Sequence, residues 1–314
     1  MTAPPSGTPA GNPSSTPAST QPGILAVTTA GALVQVNPGT GSIGSTLVPS
    51  GVYGDEISVS PDHATVYYTQ KSGCTLTVMS VSTSGGSPTP VAPGELPAIS
   101  PDGTRLAFAQ EPLIVQGCLP GGSNIASDFK LVIRTLGSGT QVTLPLPPQV
   151  ISGGLFQPIS HLSWAADSIH LAVSVSAVQD NEGWGVNIVD TSAAPYYSVP
   201  GPGVTVVPVT GSPTAQRSYL REGVFLPDGN LFVSRACCGG VPVHNTSRLM
   251  WEVTSAGVLV HQVAIGYPNL EHVSLAADPS GRWLLYLAGT DLYVSQDGNR
   301  PSKLASGFIA ATWM

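Results

Sequence analysis

Four ionisable residues occupy the same place in a repeated sequence pattern. Glu56, His161, Glu222 and His272 each lie six residues before the aspartate of a short repeat. In this repeat an apolar residue and two small residues or a proline precede the aspartate, and a glycine usually follows it. Imidazole and carboxylate groups that converge on one axis could bind a metal such as zinc or manganese, or act as acid and base. Whether these side chains meet depends on the fold that the repeat builds.

The repeat occurs five times and predicts the fold. Its copies read VSPDH (59–63), ISPDG (99–103), WAADS (164–168), FLPDG (225–229) and LAADPSG (275–281). Neighbouring aspartates are 40 to 65 residues apart, which is typical of four-stranded propeller blades with loop insertions. After each aspartate come two alternating apolar segments, and turns such as Gly137-Ser138-Gly139 then lead to a short outer strand.

The two ends of the chain predict a sixth blade. ILAVTT (24–29), LVQV (33–36) and STLV (45–48) match the second, third and outer strands, and FIAATW (308–313) matches the missing innermost strand. We therefore predict an all-β fold, a six-bladed β-propeller of four-stranded antiparallel blades. The C-terminal strand joins the N-terminal blade and closes the ring, which removes an exposed sheet edge. Seven blades would require a further repeat within 201–221, where VTVVPV could form a strand.

The first residues differ in composition from the rest of the chain. Residues 2–22 contain only Thr, Ala, Pro, Ser, Gly, Asn and Gln, and the first charged residue is Asp55. We predict a disordered linker over 1–22 and a single propeller domain over 23–314. A Met before such a linker indicates a piece of a longer protein, secreted or tethered to a membrane through an upstream segment. A cytosolic protein with an unstructured tail is the alternative.

The composition excludes several classes of partner. A net charge of −7 with few lysines argues against nucleic acid, which requires a basic surface. No apolar run approaches the roughly 18 residues of a membrane-spanning helix, so we expect no membrane insertion by this segment. The chain has no Gly-x-Ser-x-Gly, phosphate-loop or His-Glu-x-x-His motif. This favours a non-catalytic protein that needs neither a cofactor nor a resident metal.

The aspartate repeats resemble those of the TolB-like β-propellers, a WD-related family marked by an aromatic-Ser-Pro-Asp-Gly turn before a strand. VSPDH, ISPDG and FLPDG carry the resemblance well, whereas WAADS and LAADPSG are degenerate. The resemblance covers residues 23–314 and implies an extracytoplasmic propeller domain of actinobacterial type. The family includes periplasmic scaffolds, sensor domains, peptidase gating domains and lyases, so the resemblance implies no single activity.

The longest connections are expected on one face of the propeller. Segments 111–129, 177–183 and 237–247 join second to third strands, and 147–160 and 201–221 join blades. Both kinds of connection lie on the same face of a propeller, which we call the long-loop face. Since variable loops on a rigid scaffold usually carry binding, we expect a monomer that binds a peptide, glycan or envelope protein there.

The same face should contain the mouth of a central funnel. We expect the funnel mouth to be lined by Glu56, His161, Arg221, Glu222 and His272. Four residues before each aspartate lie small residues that should crowd around the channel: Ser58, Ala98, Ser163, Val224 and Ser274, with Thr312 in the inferred strand. The funnel could be a metal or catalytic site, a subsite for a small ligand or peptide, or a hydrated passage in which Arg221 pairs with a carboxylate.

Four cysteines are candidates for disulfides. Cys74 and Cys118 lie in second-to-third connections of neighbouring blades, so a bond between them is geometrically reasonable. Cys237 and Cys238 are adjacent and could form a vicinal disulfide or remain thiols. An extracytoplasmic location would favour oxidation.

Three functions fit these observations. The leading one is a non-catalytic, extracytoplasmic binding or sensor module that uses the long-loop face and the funnel. The alternative is a propeller hydrolase or lyase with a His/Glu site at the funnel mouth, with or without a metal. The third is a pure scaffold.

Overall fold

The chain folds into six four-stranded antiparallel sheets. The computed structural model describes residues 21–110, 130–145, 159–175, 185–192, 204–206, 218–237, 250–263, 272–297 and 300–314. Every regular element in these ranges is a β-strand, and the strands form six separate sheets. The predicted six-bladed propeller is thereby confirmed. None of the described residues belongs to a helix that could cross a membrane, and the predicted linker over residues 1–22 falls almost entirely outside the described ranges.

The first three blades follow the N-terminal half of the chain. Blade 1 contains, from the axis outwards, β24 (Phe308–Trp313), β1 (Ile24–Thr28), β2 (Leu33–Val36) and β3 (Ile43–Val48). Blade 2 contains β4 (Val52–Val59), β5 (Thr65–Ser72), β6 (Thr75–Ser82) and β7 (Thr89–Pro93). Blade 3 contains β8 (Glu95–Ile99), β9 (Arg105–Gln110), β10 (Lys130–Thr135) and β11 (Gln141–Pro145).

The other three blades repeat this order. Blade 4 contains β12 (Ile159–Trp164), β13 (His170–Val175), β14 (Gly185–Asp190) and β15 (Val204–Val206). Blade 5 contains β16 (Ser218–Phe225), β17 (Leu231–Cys237), β18 (Met250–Val253) and β19 (Leu259–Val263). Blade 6 contains β20 (His272–Ala277), β21 (Trp283–Ala288), β22 (Asp291–Gln296) and β23 (Ser302–Ser306).

The two ends of the chain close the ring as the sequence predicts. β24 pairs antiparallel with β1, with Ile24 opposite Trp313 and Ala26 opposite Ala311. The Met314 N–H donates a hydrogen bond to the Gly23 carbonyl at 2.8 Å. The alternative of a seventh blade within 201–221 is wrong, because residues 204–206 form the outer strand of blade 4.

The hydrophobic core lies between the blades. Six clusters of buried apolar residues occur, one at each seam between neighbouring blades. Successive side chains of a strand point to opposite faces, so each blade contributes to two seams. β1 is an example, since Ile24 and Ala26 face blade 6 whereas Leu25 and Val27 face blade 2. This explains why the inner strands are apolar along nearly their whole length.

The aspartate repeats form tight turns between the first and second strands of five blades, which we call the aspartate turns. At two seams they also connect neighbouring blades, because the proline of one turn lies beside the glycine of the next. A Cβ on Gly103 would lie 3.6 Å from Pro61 Cδ, and a Cβ on Gly281 would lie 2.9 Å from Pro227 Cδ. Positive φ recurs at this position, where His63 and Ser168 also adopt it, whereas space restricts the residue only at Gly281.

This contact predicts unequal effects of the same substitution in two turns. Gly103 and Gly281 both have φ of +71°, so alanine at either site costs about 1–2 kcal/mol of backbone strain. Only Gly281→Ala also forces a methyl group into Pro227, which adds about 1–3 kcal/mol. We expect Gly281→Ala to lower the urea midpoint more than Gly103→Ala. Equal midpoints for the two variants would contradict the proposed contact.

The long connections largely fall outside the described residues. Alternate strand ends of an antiparallel blade lie on opposite faces, and the aspartate turns mark one of them, which we call the turn face. Segment 111–129 connects β9 and β10. These two strands are paired where Gln110 lies opposite Lys130, at the end of blade 3 that is away from the turn face. Those strand ends agree with the predicted placement of the long connections, whose own structure is not described.

Candidate functional site

A cavity of about 510 Å³ runs along the propeller axis, with walls formed by the inner strands of all six blades. The predicted ring of small residues is confirmed, since the cavity is lined by Ser58, Ala98, Ser163, Val224, Ser274 and Thr312. This volume falls within the range of about 300–1,000 Å³ that is usual for ligand sites.

Serines of the small ring connect neighbouring inner strands. The Ile99 N–H donates to Ser58 Oγ at 3.0 Å, and the Phe225 N–H donates to Ser163 Oγ at the same distance. The Ala311 N–H donates to Ser274 Oγ at 2.9 Å. Small size is therefore one requirement at these positions, and a hydroxyl acceptor is a second one that the sequence analysis did not predict. These bonds also occupy backbone donors that a strand entering the channel would need.

Glu56 and His161 meet inside the channel. His161 Nδ1 lies 3.1 Å from Glu56 Oε2, and their side chains are 10% and 7% exposed. The Leu162 N–H also points to Glu56 Oε2, at 3.4 Å. Both residues line the cavity, and the pair joins blades 2 and 4, which are not neighbours in the ring. Two of the sequence-predicted site residues are thus brought into direct contact.

Blade 3 lies between those two blades. Its residue at the position equivalent to Glu56 and His161 is Leu96, whose side chain does not enter the channel. Leu96 adopts φ of +56°, and its side chain packs into the seam between blades 3 and 4. Its N–H donates to Thr69 Oγ1 of blade 2 at 3.1 Å. The left-handed backbone of Leu96 therefore keeps an apolar side chain away from the Glu56–His161 pair.

The other predicted site residues lie on β16 and β20. Glu222 is buried at 3% exposure in β16, whereas the described lining of the cavity from blade 5 begins at Val224. Arg221 lies beside Glu222 in β16, and His272 begins β20. The structure describes the backbone of Arg221 and His272 but not their side chains, so their role at the funnel mouth stays a prediction.

β-bulges explain why equivalent sequence positions are not equivalent in space. The pairing of each inner strand of blades 2 to 6 with its neighbour shifts once, between Val52 and Ile57, Glu95 and Ala98, Ile159 and His161, Leu220 and Glu222, and Val273 and Ala276. A bulge redirects the side chains beside it. His161 lies on the aspartate side of its bulge, whereas the backbone of His272 lies on the opposite side, so equal spacing places the two residues differently relative to the bulge.

The cavity reaches the turn face between the aspartate turns. Exposed apolar residues surround this opening and also line the cavity: Pro61, Pro101, Ala166, Pro227 and Pro279. We call these residues the apolar collar. They contact solvent at one end of the channel, whereas Glu56 and His161 are buried farther along it. The opening that the structure describes is therefore on the face opposite to the long-loop face.

Ionised carboxylates surround the apolar collar. The Ser60 hydroxyl donates to Asp62 Oδ1 at 2.5 Å and the Ala64 N–H at 3.0 Å, and these bonds lower the pKa of Asp62. Partial burial raises the pKa of Asp102, but hydrogen bonds from the turn outweigh it and the net pKa is lowered. Asp167 follows the same pattern, so its pKa is also lowered. These side chains are negatively charged at neutral pH.

Two arginines on this face form contacts away from the opening. Arg105 stacks over the Trp164 ring at 4.9 Å and donates to Thr191 Oγ1 at 3.0 Å. Arg282 forms a two-point bond with the Asp297 carboxylate, with both distances 2.8 Å. The opening is therefore largely apolar at its edge, where the exposed His63 also borders the cavity, and ionised aspartates lie around it.

The metal and disulfide predictions depend on residues beyond these ranges. Within the described part of the chain, no three His, Cys, Asp or Glu side chains are grouped so as to hold a metal ion. Cys74 lies in the β5–β6 turn of blade 2, and none of the described cysteines is a free thiol. Residues 118 and 238 lie outside the described ranges, so neither cysteine pairing is tested.

Comparison with known proteins identifies the fold. No family model and no curated protein sequence matches the chain. Among solved structures, TolB from Acinetobacter baumannii is 14% identical, with a TM-score of 0.59 over 93% of this chain and 65% of that protein. A putative TolB from Agrobacterium tumefaciens is 13% identical, with a TM-score of 0.55 over 93% of this chain and 94% of that one.

A third similar structure comes from a nidogen/laminin complex. It is 10% identical, with a TM-score of 0.56 over 93% of this chain and 98% of the other. The present chain spans about two thirds of the length of the Acinetobacter protein. At these identities the comparisons establish architecture and not activity. The resemblance in the aspartate turns is confirmed at this level: the chain is a six-bladed β-propeller with the fold of the TolB proteins.

Proposed function

We propose that this propeller is a non-catalytic protein-interaction module that receives an extended segment of its partner in the central channel. The observation that carries the proposal is the axial cavity of about 510 Å³, which all six inner strands line. Structures with this fold include TolB and a chain of the nidogen/laminin complex, the latter named for an assembly of two proteins.

The chemistry of the wall supports binding through side chains rather than strand addition. Serine hydroxyls already accept hydrogen bonds from the inner-strand N–H groups of Ile99, Phe225 and Ala311. An incoming segment would instead meet hydroxyls, the Glu56–His161 pair and the apolar collar. Such a mixture of apolar surface and a few polar groups is usual in binding sites.

The proposal includes an extracytoplasmic location and a contribution from the long-loop face. The uncharged segment over residues 2–22 supports a tether or spacer outside the cytoplasm. A disulfide between Cys74 and Cys118 would agree with that location, because an oxidising compartment favours it. The long connections would enlarge the contact surface at the other end of the channel.

The test is selection of binding peptides against the purified protein. Thr312 lines the channel, so Thr312→Trp should fill it and weaken the selected peptides at least about tenfold, or about 1.4 kcal/mol. Val142→Trp places the same ring on the outer strand of blade 3, at a residue that is 54% exposed, and should leave binding unchanged. Dissociation constants from fluorescence anisotropy would give both values.

Two results would overturn the proposal. One is a folded protein that selects no peptide, or peptides that bind both tryptophan variants equally well. The other is catalysis: a hydrolytic or lyase activity that disappears in a His161→Ala protein still folded by circular dichroism would favour the alternative function, with the Glu56–His161 pair as acid and base.

A further inference from the structure

We infer that the channel selects a basic partner segment, which enters through the apolar collar on the turn face and places a lysine or arginine side chain near Glu56. This inference rests on the proposed function and adds the chemistry of the partner and the direction of entry. It differs from the expectation that the long-loop face alone carries recognition.

The first argument is the negative charge at the collar and deeper in the channel. At the collar, Asp62, Asp102 and Asp167 are exposed and have lowered pKa values, so they remain ionised. Farther inside the channel, Glu56 is 7% exposed and lines the cavity. A cationic side chain is attracted at the entrance by the aspartates and stabilised inside by a carboxylate in low-dielectric surroundings.

The second argument concerns hydrogen-bond donors and acceptors. Three inner-strand N–H groups are bonded to serine hydroxyls, and the Trp164 Nε1–H donates to the Ala98 carbonyl at 2.9 Å. These donors of the wall are therefore engaged, while the Glu56 carboxylate offers acceptors only. Ammonium and guanidinium groups carry donors and no acceptor, so they complement the Glu56 carboxylate better than a ligand carboxylate or amide does, while the serine hydroxyls of the wall can serve either kind of group.

The third argument is the shape and polarity of the entrance. The collar residues Pro61, Pro101 and Pro227 are exposed, although each also borders the cavity. Apolar rims suit the methylene stems of lysine and arginine, whose charged ends reach farther. His161 is the group that a ligand cation would meet beside Glu56, since its Nδ1 is 3.1 Å from that carboxylate. A bound cation would therefore replace or loosen the His161 contact.

The experiment compares labelled peptides that are identical except for lysine, glutamine or glutamate at two positions. Fluorescence anisotropy should give a dissociation constant at least about tenfold lower for the lysine peptide than for the glutamine peptide. The glutamate peptide should bind more weakly than both. Added salt should weaken the lysine peptide most, because its attraction to the exposed aspartates is screened.

Variants locate the effect within the channel. Glu56→Gln keeps the size of the side chain and should remove most of the preference for lysine. Ala166→Arg adds a positive charge to the collar and should weaken the lysine peptide several-fold, whereas Val142→Arg adds the same charge at the outer edge and should not. Should Glu56→Gln fail to fold, the comparison of Ala166→Arg with Val142→Arg still decides the question.

The outcomes separate this inference from the proposed function. Equal binding of the lysine and glutamine peptides, or loss of binding in Val142→Arg as well as Ala166→Arg, would overturn the inference and leave a peptide-binding channel standing. Binding of none of these peptides, combined with failure of peptide selection, would overturn the proposed function itself.

Discussion

Deletion of residues 308–314 should abolish the cooperative unfolding of the propeller. This segment forms β24, which supplies Phe308, Ala311 and Trp313 to the seam between blades 1 and 6. It also supplies Ala310 to the seam between blades 1 and 2, and it is the only described partner on the inner side of β1. Phe308 and Trp313 are 2% and 5% exposed, so both seams and a sheet edge open together when the strand is lost.

The size of the effect follows from those two aromatic side chains. Truncation of a buried Phe or Trp to alanine costs about 3–5 kcal/mol each, and whole domains are stable by only about 5–15 kcal/mol. We expect circular dichroism during a urea titration to show a broad transition at low urea in place of a sharp one. Size-exclusion chromatography should show aggregates, because the exposed edge of β1 is a template for strand pairing.

A peptide with the sequence of residues 308–314, added to the shortened protein, should restore part of the sharp transition. Deletion of Met314 alone is the matched control, since it removes one backbone hydrogen bond and leaves β24 in place. A shortened chain that unfolds at the same urea concentration as the full chain would show that the ring does not depend on this closure.

His161→Ala should clearly destabilise the protein through the channel. It removes one partner of a buried pair and leaves the Glu56 carboxylate at 7% exposure without the imidazole beside it. Removal of one partner of a buried polar pair leaves the other group desolvated without one of its hydrogen bonds, which typically costs about 1–3 kcal/mol. The urea midpoint should therefore fall clearly without a change in the slope of the transition.

Two comparisons isolate the cause of this loss. His170→Ala removes the imidazole of an exposed pair, in which both side chains are 44% exposed, and should cost about 0–1 kcal/mol. The double variant Glu56→Leu/His161→Leu removes both polar groups and should recover much of the stability that His161→Ala loses. If His161→Ala and His170→Ala have the same midpoint, the channel pair does not contribute as a buried pair.

Spacing alone predicted the architecture because every blade repeats the same local requirements. Each aspartate turn needs an oxygen acceptor for its own N–H groups, as Asp62 provides for Ala64. Each inner strand must be small where six strands converge, which placed Ser58 and Thr312 correctly on the wall of the cavity. These are short-range constraints, so they can be read one repeat at a time.

The candidate site is less predictable from spacing. Glu56 and His161 do meet, but nothing in the sequence indicates that they bridge blades 2 and 4 across blade 3. That arrangement depends on the bulge in each inner strand and on the left-handed conformation of Leu96. A bulge shifts one residue relative to a neighbouring strand, and its position is decided by packing between blades rather than by the local sequence.

The sequence also did not predict on which face of the propeller the described cavity opens. Loop lengths drew attention to the long-loop face, whereas the described cavity opens between the aspartate turns. Those turns are short because they interlock through Pro61 and Gly103 or Pro227 and Gly281, and the interlocking surrounds an opening with prolines. Length variation reports where insertion is tolerated, and it carries no information about where the walls leave space.

The sequence by itself determined the number of blades, the closing strand at 308–313 and the small residues around the axis. Each follows from a repeated local need for turn geometry, strand alternation and close packing. Only the tertiary structure decided which ionisable side chains meet, that serine hydroxyls join the inner strands, and where the channel opens. Those features depend on contacts between blades far apart in the chain, where a shift of one residue reverses the direction of a side chain.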